Sequence, residues 1–167
     1  IRDSNNLCLH GGLKLREGFA RTVENNIMVN NTFHPHVWFA NSQDIFRHNI
    51  VTTPYRPIQV KEWGKETDTN FFVTKQGLEQ AQKRGTDLHS LYGDPLFIAP
   101  EKGDYRVKEN SPALKTGFRN FDMEHFGVQC PHLKALAATP ELPVFKIPEE
   151  KPETVQTYSC LLYTSPS

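Results

Sequence analysis

At 167 residues, the chain is long enough for one domain with a core of its own, and 37% hydrophobic with 23% charged residues sets it at the polar end of globular composition. Its 19 basic and 19 acidic residues cancel, so no overall field recruits nucleic acid or a membrane surface, and no apolar run reaches the length of a membrane span. Cys8, Cys130 and Cys160 are too few and too widely spaced for a disulfide framework or a CxxC metal site.

The first element is a phrase that recurs. Asn6-Leu7-Cys8-Leu9 is followed by Asn26-Ile27-Met28-Val29, Asn49-Ile50-Val51-Thr52 and Asn70-Phe71-Phe72-Val73. The asparagines stand 20, 23 and 21 residues apart. A short apolar strand behind an Asn at a near-constant period is the signature of stacked coils. Helical repeats would need apolar residues at i, i+3, i+4 and i+7 between the phrases, and these are missing. The repeated Asn fits a turn or a ladder of stacked amides along the axis. The expected fold is all-β, a right-handed parallel β-helix, with the four asparagines about 4.8 Å apart along the axis. A β-sandwich with short strands at regular spacing is the alternative.

A second alternating run follows each phrase: Leu13-Lys14-Leu15-Arg16, His36-Val37-Trp38-Phe39 and Ile58-Gln59-Val60-Lys61. With Leu13, Val37 and Ile58 equivalent, alternation points Leu13, Leu15, Val37, Phe39, Ile58 and Val60 inward. Lys14, Arg16, His36, Trp38, Gln59 and Lys61 then form one outer strip. Thr52 to Pro57 is a turn-rich connector, since Pro54 and Pro57 cannot donate to a ladder. Residues 77–84 have high helix propensity and Gly85 can end a helix there.

From Thr86 the pattern changes. Phe97 and its neighbours, the turn at Lys102-Gly103 and the run from Asp104 to Val107 predict two short strands joined by a turn. The segments Gly85-Thr86-Asp87-Leu88-His89-Ser90, Gly93-Asp94-Pro95-Leu96-Phe97, Gly103-Asp104-Tyr105 and Ser111-Pro112-Ala113 resemble the closing module of bacterial right-handed parallel β-helix proteins. That family is similar in fold to pectate lyases and includes polysaccharide-degrading glycoside hydrolases. The resemblance covers about residues 1–130 and is specific for the closing module. It implies the fold, a carbohydrate setting and a secreted or periplasmic location, but no single reaction.

Residues 131–157 read as a Pro/Glu-rich linker, and six of the twelve prolines lie from Pro131 onward. The run 158–167 breaks that style and looks like a translated adapter tail. The opening Ile1 to Asn6 already reads as mid-coil, so further coils or a domain are expected beyond both ends, and the piece alone would expose an uncapped edge.

The interior of a β-helix is packed, so a ligand must lie on an outer face. Lys14, Arg16, His36, Trp38 and Lys61 on consecutive coils, with His34 beside them, suit a sugar stacked on an indole with its carboxylates or hydroxyls held by bases. His34-Pro35-His36 could chelate a metal only with a third ligand, for which Glu17 or Asp44 would have to serve, and an isolated H-x-H is a weak signal, so no metal and no cofactor is expected. Glycoside hydrolysis would need two carboxylates, for which Glu17, Glu24 and Asp44 are the candidates. The favoured reading is a polysaccharide-active glycoside hydrolase. A non-catalytic carbohydrate-binding or adhesive β-helix is the alternative, and a lyase with Lys14 or Arg16 as base is the third. The expected partner is a polysaccharide or oligosaccharide, with no nucleic acid and no membrane insertion.

Overall fold

A left-handed corner in front of each ladder asparagine sets the architecture. Asn5, Asn25, His48 and Thr69 take φ of 59°, 58°, 55° and 53°. Asn reaches this region more readily than most residues, which explains the Asn5-Asn6 and Asn25-Asn26 doublets. Each corner turns the chain sharply from one short strand into the next. The computed structural model describes residues 1–123, 128, 130–137 and 144–149.

The first coil supplies β1 (Arg2–Ser4), β2 (Leu7–Cys8) and β3 (Leu13–Arg16); the second supplies β4 (Thr22–Glu24), β5 (Ile27–Met28) and β6 (Phe33–His36). The third coil has β7 (Ile45–Arg47) and β8 (Ile50–Val51), and its last strand is reduced to a bridge from Ile58 to His36. The fourth has β9 (Glu66–Asp68) and β10 (Phe71–Phe72), with α1 (Lys75–Lys83) in place of a third strand. The fifth contributes β11 (Leu91–Tyr92). The described elements end with β12 (Phe97–Ala99), β13 (Asp104–Val107) and the short α2 (Pro131–Leu136).

Three parallel sheets result, in the orders β1-β4-β7-β9, β2-β5-β8-β10-β11 and β3-β6. Parallel crossovers of this kind are right-handed. The chain is therefore an all-β right-handed parallel β-helix, and β12 and β13 form the expected hairpin. The first sheet had no counterpart in the expected elements. Its strands are three residues long and show only one buried apolar residue at most in the middle position, such as Val23 or Phe46.

The asparagines stack as a ladder. Asn6 Nδ2 donates to Asn26 Oδ1 at 3.0 Å, Asn26 Nδ2 to Asn49 Oδ1 at 3.1 Å, and Asn49 Nδ2 to Asn70 Oδ1 at 3.1 Å. Each acceptor oxygen also takes the backbone N–H of the asparagine one coil earlier. In the fifth coil Ser90 replaces Asn, and its Oγ accepts from the Asn70 backbone at 2.8 Å. Asn70 Nδ2 then turns to Asp87 Oδ1 at 3.0 Å. An amide propagates this pattern because it both donates and accepts.

The middle strands of the second sheet, β5, β8 and β10, are buried on both faces. Met28, Val51 and Phe72 point into the solenoid with Val23, Phe33, Phe46 and Tyr55. Ile27, Ile50 and Phe71 point out, where Phe97, Tyr105, Val107, Ala113 and Phe118 cover them. The closing module thus lies along the flank of the solenoid, and the two-sided burial explains why these strands read as continuous apolar pairs. Asn25 ties the return in place: its Nδ2 donates to the Arg119 carbonyl at 2.9 Å and its Oδ1 accepts the Arg119 N–H at 2.7 Å.

Helix α1 begins two residues before the expected start, because Thr74 caps it through a bond from Gly77 N at 3.2 Å. Within the expected linker, α2 is exposed, and Phe145 packs on Phe97 with ring centroids 5.1 Å apart. The expected tail at 158–167 and much of 131–157 lie outside the described residues.

Candidate functional site on the outer face of the third sheet

The third sheet pairs Leu13 with Phe33, Lys14 with His34, Leu15 with Pro35 and Arg16 with His36. This corrects the expected register, which matched Leu13 with Val37. Phe33 follows Asn26 by seven residues, as Leu13 follows Asn6, so the ladder asparagine fixes where the third strand begins. The strand then ends at His36. Val37 is left-handed at φ 48°, as are Glu17 at 35° and Gln59 at 51° in the corresponding places of the other coils. The alternation expected through Val37 to Phe39 therefore never forms.

Trp38 is the main correction. It is only 5% exposed and packs inside against Phe33, with ring centroids 5.8 Å apart, and against Trp63 at 6.1 Å. Phe39 and Ile58, expected inside, are 41% and 45% exposed. Lys61 is exposed but lies beyond the third strand, in a separate cleft with Gln59 and Trp63. No continuous strip from Lys14 to Lys61 exists.

The structure does bring Lys14, Arg16, His34 and His36 onto one outer face. Arg56, two residues before the bridged Ile58, joins them; its backbone N–H reaches the Phe33 carbonyl at 3.0 Å. Asn31 orients His34 through a contact of 2.9 Å between Oδ1 and the ring Nε2, and donates to the His10 carbonyl at 2.8 Å. Burial lowers the His34 pKa, with Arg56 and Lys14 pushing the same way. His36 is lowered by desolvation and then by Lys14 and Arg16, against an opposing pull from Glu17. Both rings are therefore neutral at neutral pH and charge only in acid.

Beside these strand ends stands an aromatic pair that sequence reasoning missed. Phe19 and Phe39 lie in equivalent turns, 59% and 41% exposed, with rings stacked at 5.3 Å and 18°. They are 20 residues apart, so the coil period itself was the signal. Arg56 carried a weaker signal, since it lies in a proline-flanked connector. Pro35 also explains why only a bridge joins the third coil here: it brings no N–H to the ladder.

The three candidate carboxylates stand in separate settings. Glu17 is exposed at the left-handed turn, 3.4 Å from Arg16 Nε. Glu24 lies on the first sheet between Arg2 and Arg47, with Arg47 Nε 3.0 Å away, and Arg47 also reaches Glu66 at 3.3 Å. Burial raises the Glu24 pKa, but the hydrogen bonds and charges of Arg47 and Arg2 outweigh it, and the net direction is down. Asp44 is fully buried and gripped by Arg21, through Nη2 at 2.6 Å, Nε at 3.1 Å and the backbone N–H at 2.9 Å. Among the described residues, no three His, Cys, Asp or Glu side chains gather as a metal site.

Comparison with protein families, curated proteins and solved structures finds no match to this chain.

Proposed function

We propose that this β-solenoid binds an acidic polysaccharide across the outer face of its third sheet, as a secreted or periplasmic carbohydrate-binding protein. The observation that carries the reading is the gathering of Lys14, Arg16, His34, His36 and Arg56 over three coils, beside the exposed Phe19–Phe39 stack. The basic groups suit carboxylates or sulfates at successive sugars, and the phenyl faces suit the apolar side of a pyranose ring. The resemblance of the closing module to carbohydrate-active β-helix proteins supports the same ligand class. Binding is favoured over hydrolysis because, of the three candidate carboxylates, Glu24 is engaged by Arg47, Asp44 by Arg21 and Glu17 by Arg16, so no two of them form a free pair.

Titration calorimetry with an oligogalacturonate and with a neutral oligosaccharide of equal length tests this. The acidic ligand should bind more tightly, and its affinity should fall as salt rises. Arg16→Ala should weaken it about tenfold or more, the worth of one charge-assisted hydrogen bond, with the melting temperature nearly unchanged. Binding should tighten as the pH falls below the ordinary imidazole range, because protonation of His34 and His36, whose pKa values are lowered, adds positive charge to the face. Equal affinity for the neutral ligand, or no response to salt, would remove this reading.

A further inference from the structure

The third sheet stops at Ile58, and α1 occupies the place where the fourth coil would have continued it. The interruption leaves an open cleft of about 410 Å³, lined by Pro57, Gln59, Val60, Lys61, Trp63 and Arg84. Pro57 is tolerated at this edge because it has no N–H to leave unpaired.

The cleft is built around an indole held from behind. Trp63 meets Trp38 at 6.1 Å and 69°, and Tyr55 at 6.3 Å and 38°, while remaining only partly buried. The following loop is pinned on the solenoid. Lys65 N–H donates to the Asp44 carbonyl at 2.8 Å, and a Cβ at Gly64 would sit 2.4 Å from that same oxygen. Only glycine allows this approach, so the Trp63 ring is fixed before any ligand arrives.

The polar groups around it share one sign. The lining residues include two cations, Lys61 and Arg84, one amide, Gln59, and no carboxylate. Arg84 is placed by the end of α1, where its backbone N–H bonds the Ala81 carbonyl at 2.9 Å. By contrast, Arg2 and Arg47 on the first sheet have Glu24 between them, and Arg21 has Asp44. A rigid aromatic face, two cations without a carboxylate in the cleft and one amide form the complement of a sugar ring bearing an acid group. The volume lies in the range of small-ligand sites.

We propose that the Trp63 cleft is a second binding subsite, which seats one uronate-type sugar residue against the indole with its carboxylate between Lys61 and Arg84. The assignment rests on the acidic-glycan reading for its ligand class, but shares no residue with the basic face. The chain has two tryptophans, and Trp38 is shielded, so emission changes on ligand addition report Trp63.

The test is a fluorescence titration of the full chain with trigalacturonate, run beside calorimetry on the same samples. A saturable emission change is expected, with affinity about tenfold weaker in Lys61→Gln and in Arg84→Gln. Arg16→Ala should leave this signal in place while weakening the heat attributed to the basic face. Heat without any emission change, or an emission change that survives both cleft variants, overturns the subsite and leaves the basic face standing. An equal response to a neutral trisaccharide overturns the acidic ligand. Binding in neither measurement overturns both assignments.

Discussion

Asn49→Ala should cost about 3–5 kcal/mol and lower the melting temperature by on the order of 10 °C. Asn49 sits in the middle of the ladder and is fully buried. Its Oδ1 accepts from Asn26 N at 3.0 Å and Asn26 Nδ2 at 3.1 Å, while its Nδ2 supplies Asn70 Oδ1 and the carbonyls of Arg47 and Val23. Truncation strands two donors on Asn26 away from water. Each stranded buried group costs roughly 1–3 kcal/mol, which exceeds the net worth of any hydrogen bond lost. Asn6→Ala is the control. Asn6 is exposed at the first coil and no preceding coil among the described residues donates to its amide oxygen, so its loss should cost about 1 kcal/mol or less. Chemical denaturation of both variants checks the gradient. Equal losses at Asn6 and Asn49 would mean that the ladder does not act through burial.

The ladder was legible in the sequence because one residue type performs one task at one period. Asn26, Asn49 and Asn70 each accept from one neighbour and donate to the next, Asn6 starts the run by donating to Asn26, and few side chains do both. The third strands were legible as strands but not in register. The expected match of Leu13 to Val37 used hydrophobic alternation alone, and alternation fails where a β-branched Val takes a left-handed corner. That single corner moved Trp38 inside, took Phe39 out and broke the strip that depended on them. Counting from the asparagine would have placed Phe33 correctly, since the corner in front of each Asn is the fixed point of every coil. The first sheet left almost no pattern, because a three-residue strand shows only one inward position. Its outer face is held by Arg2, Glu24, Arg47 and Glu66 across successive coils, and those charges look like ordinary surface residues until the coils are stacked.

The basic face was half legible for a related reason. Lys14, Arg16, His34 and His36 follow directly from alternation on either side of inward residues, and that part of the strands is regular. Phe19 lies in a turn, where alternation says nothing. What links it to Phe39 is the coil period, which brings equivalent turn residues of adjacent coils into contact as surely as it does strand residues.

A single group at the end of the ladder, Asp87, should contribute less and less stability as the pH rises from about 4 to about 6.5. Asp87 is 1% exposed, and its Oδ1 accepts from Tyr55 Oη at 3.1 Å, Asn70 Nδ2 at 3.0 Å and Ser90 Oγ at 2.7 Å. Its Oδ2 is buried with no partner among the described residues. Burial pushes the carboxyl up from 3.8 to about 6, against the opposing pull of the hydrogen bonds from Asn70, Ser90, Thr86 and Tyr55. The folded pKa lies above the unfolded one, so the folded state holds its proton more tightly. The resulting stabilisation is fully present below the unfolded pKa and is lost as pH rises through the folded value. A rise of about two units amounts to about 3 kcal/mol. Glu24, Asp68 and Asp104 have lowered pKa values and act in the opposite direction, so the raw pH profile mixes the two effects. Asp87→Asn separates them. Asn keeps the Oδ1 acceptor, suits the φ of 58° at this corner and carries no charge. The difference in unfolding free energy between variant and wild type cancels the other groups, and it should move by about 2.5 kcal/mol in favour of the variant between pH 4 and pH 7.5. Its absolute value at pH 7.5 will be smaller than that shift, because the new Nδ2 occupies the position where Oδ2 has no partner. A difference that stays flat across this range would show that Asp87 is already neutral, or already solvated, at the end of the ladder.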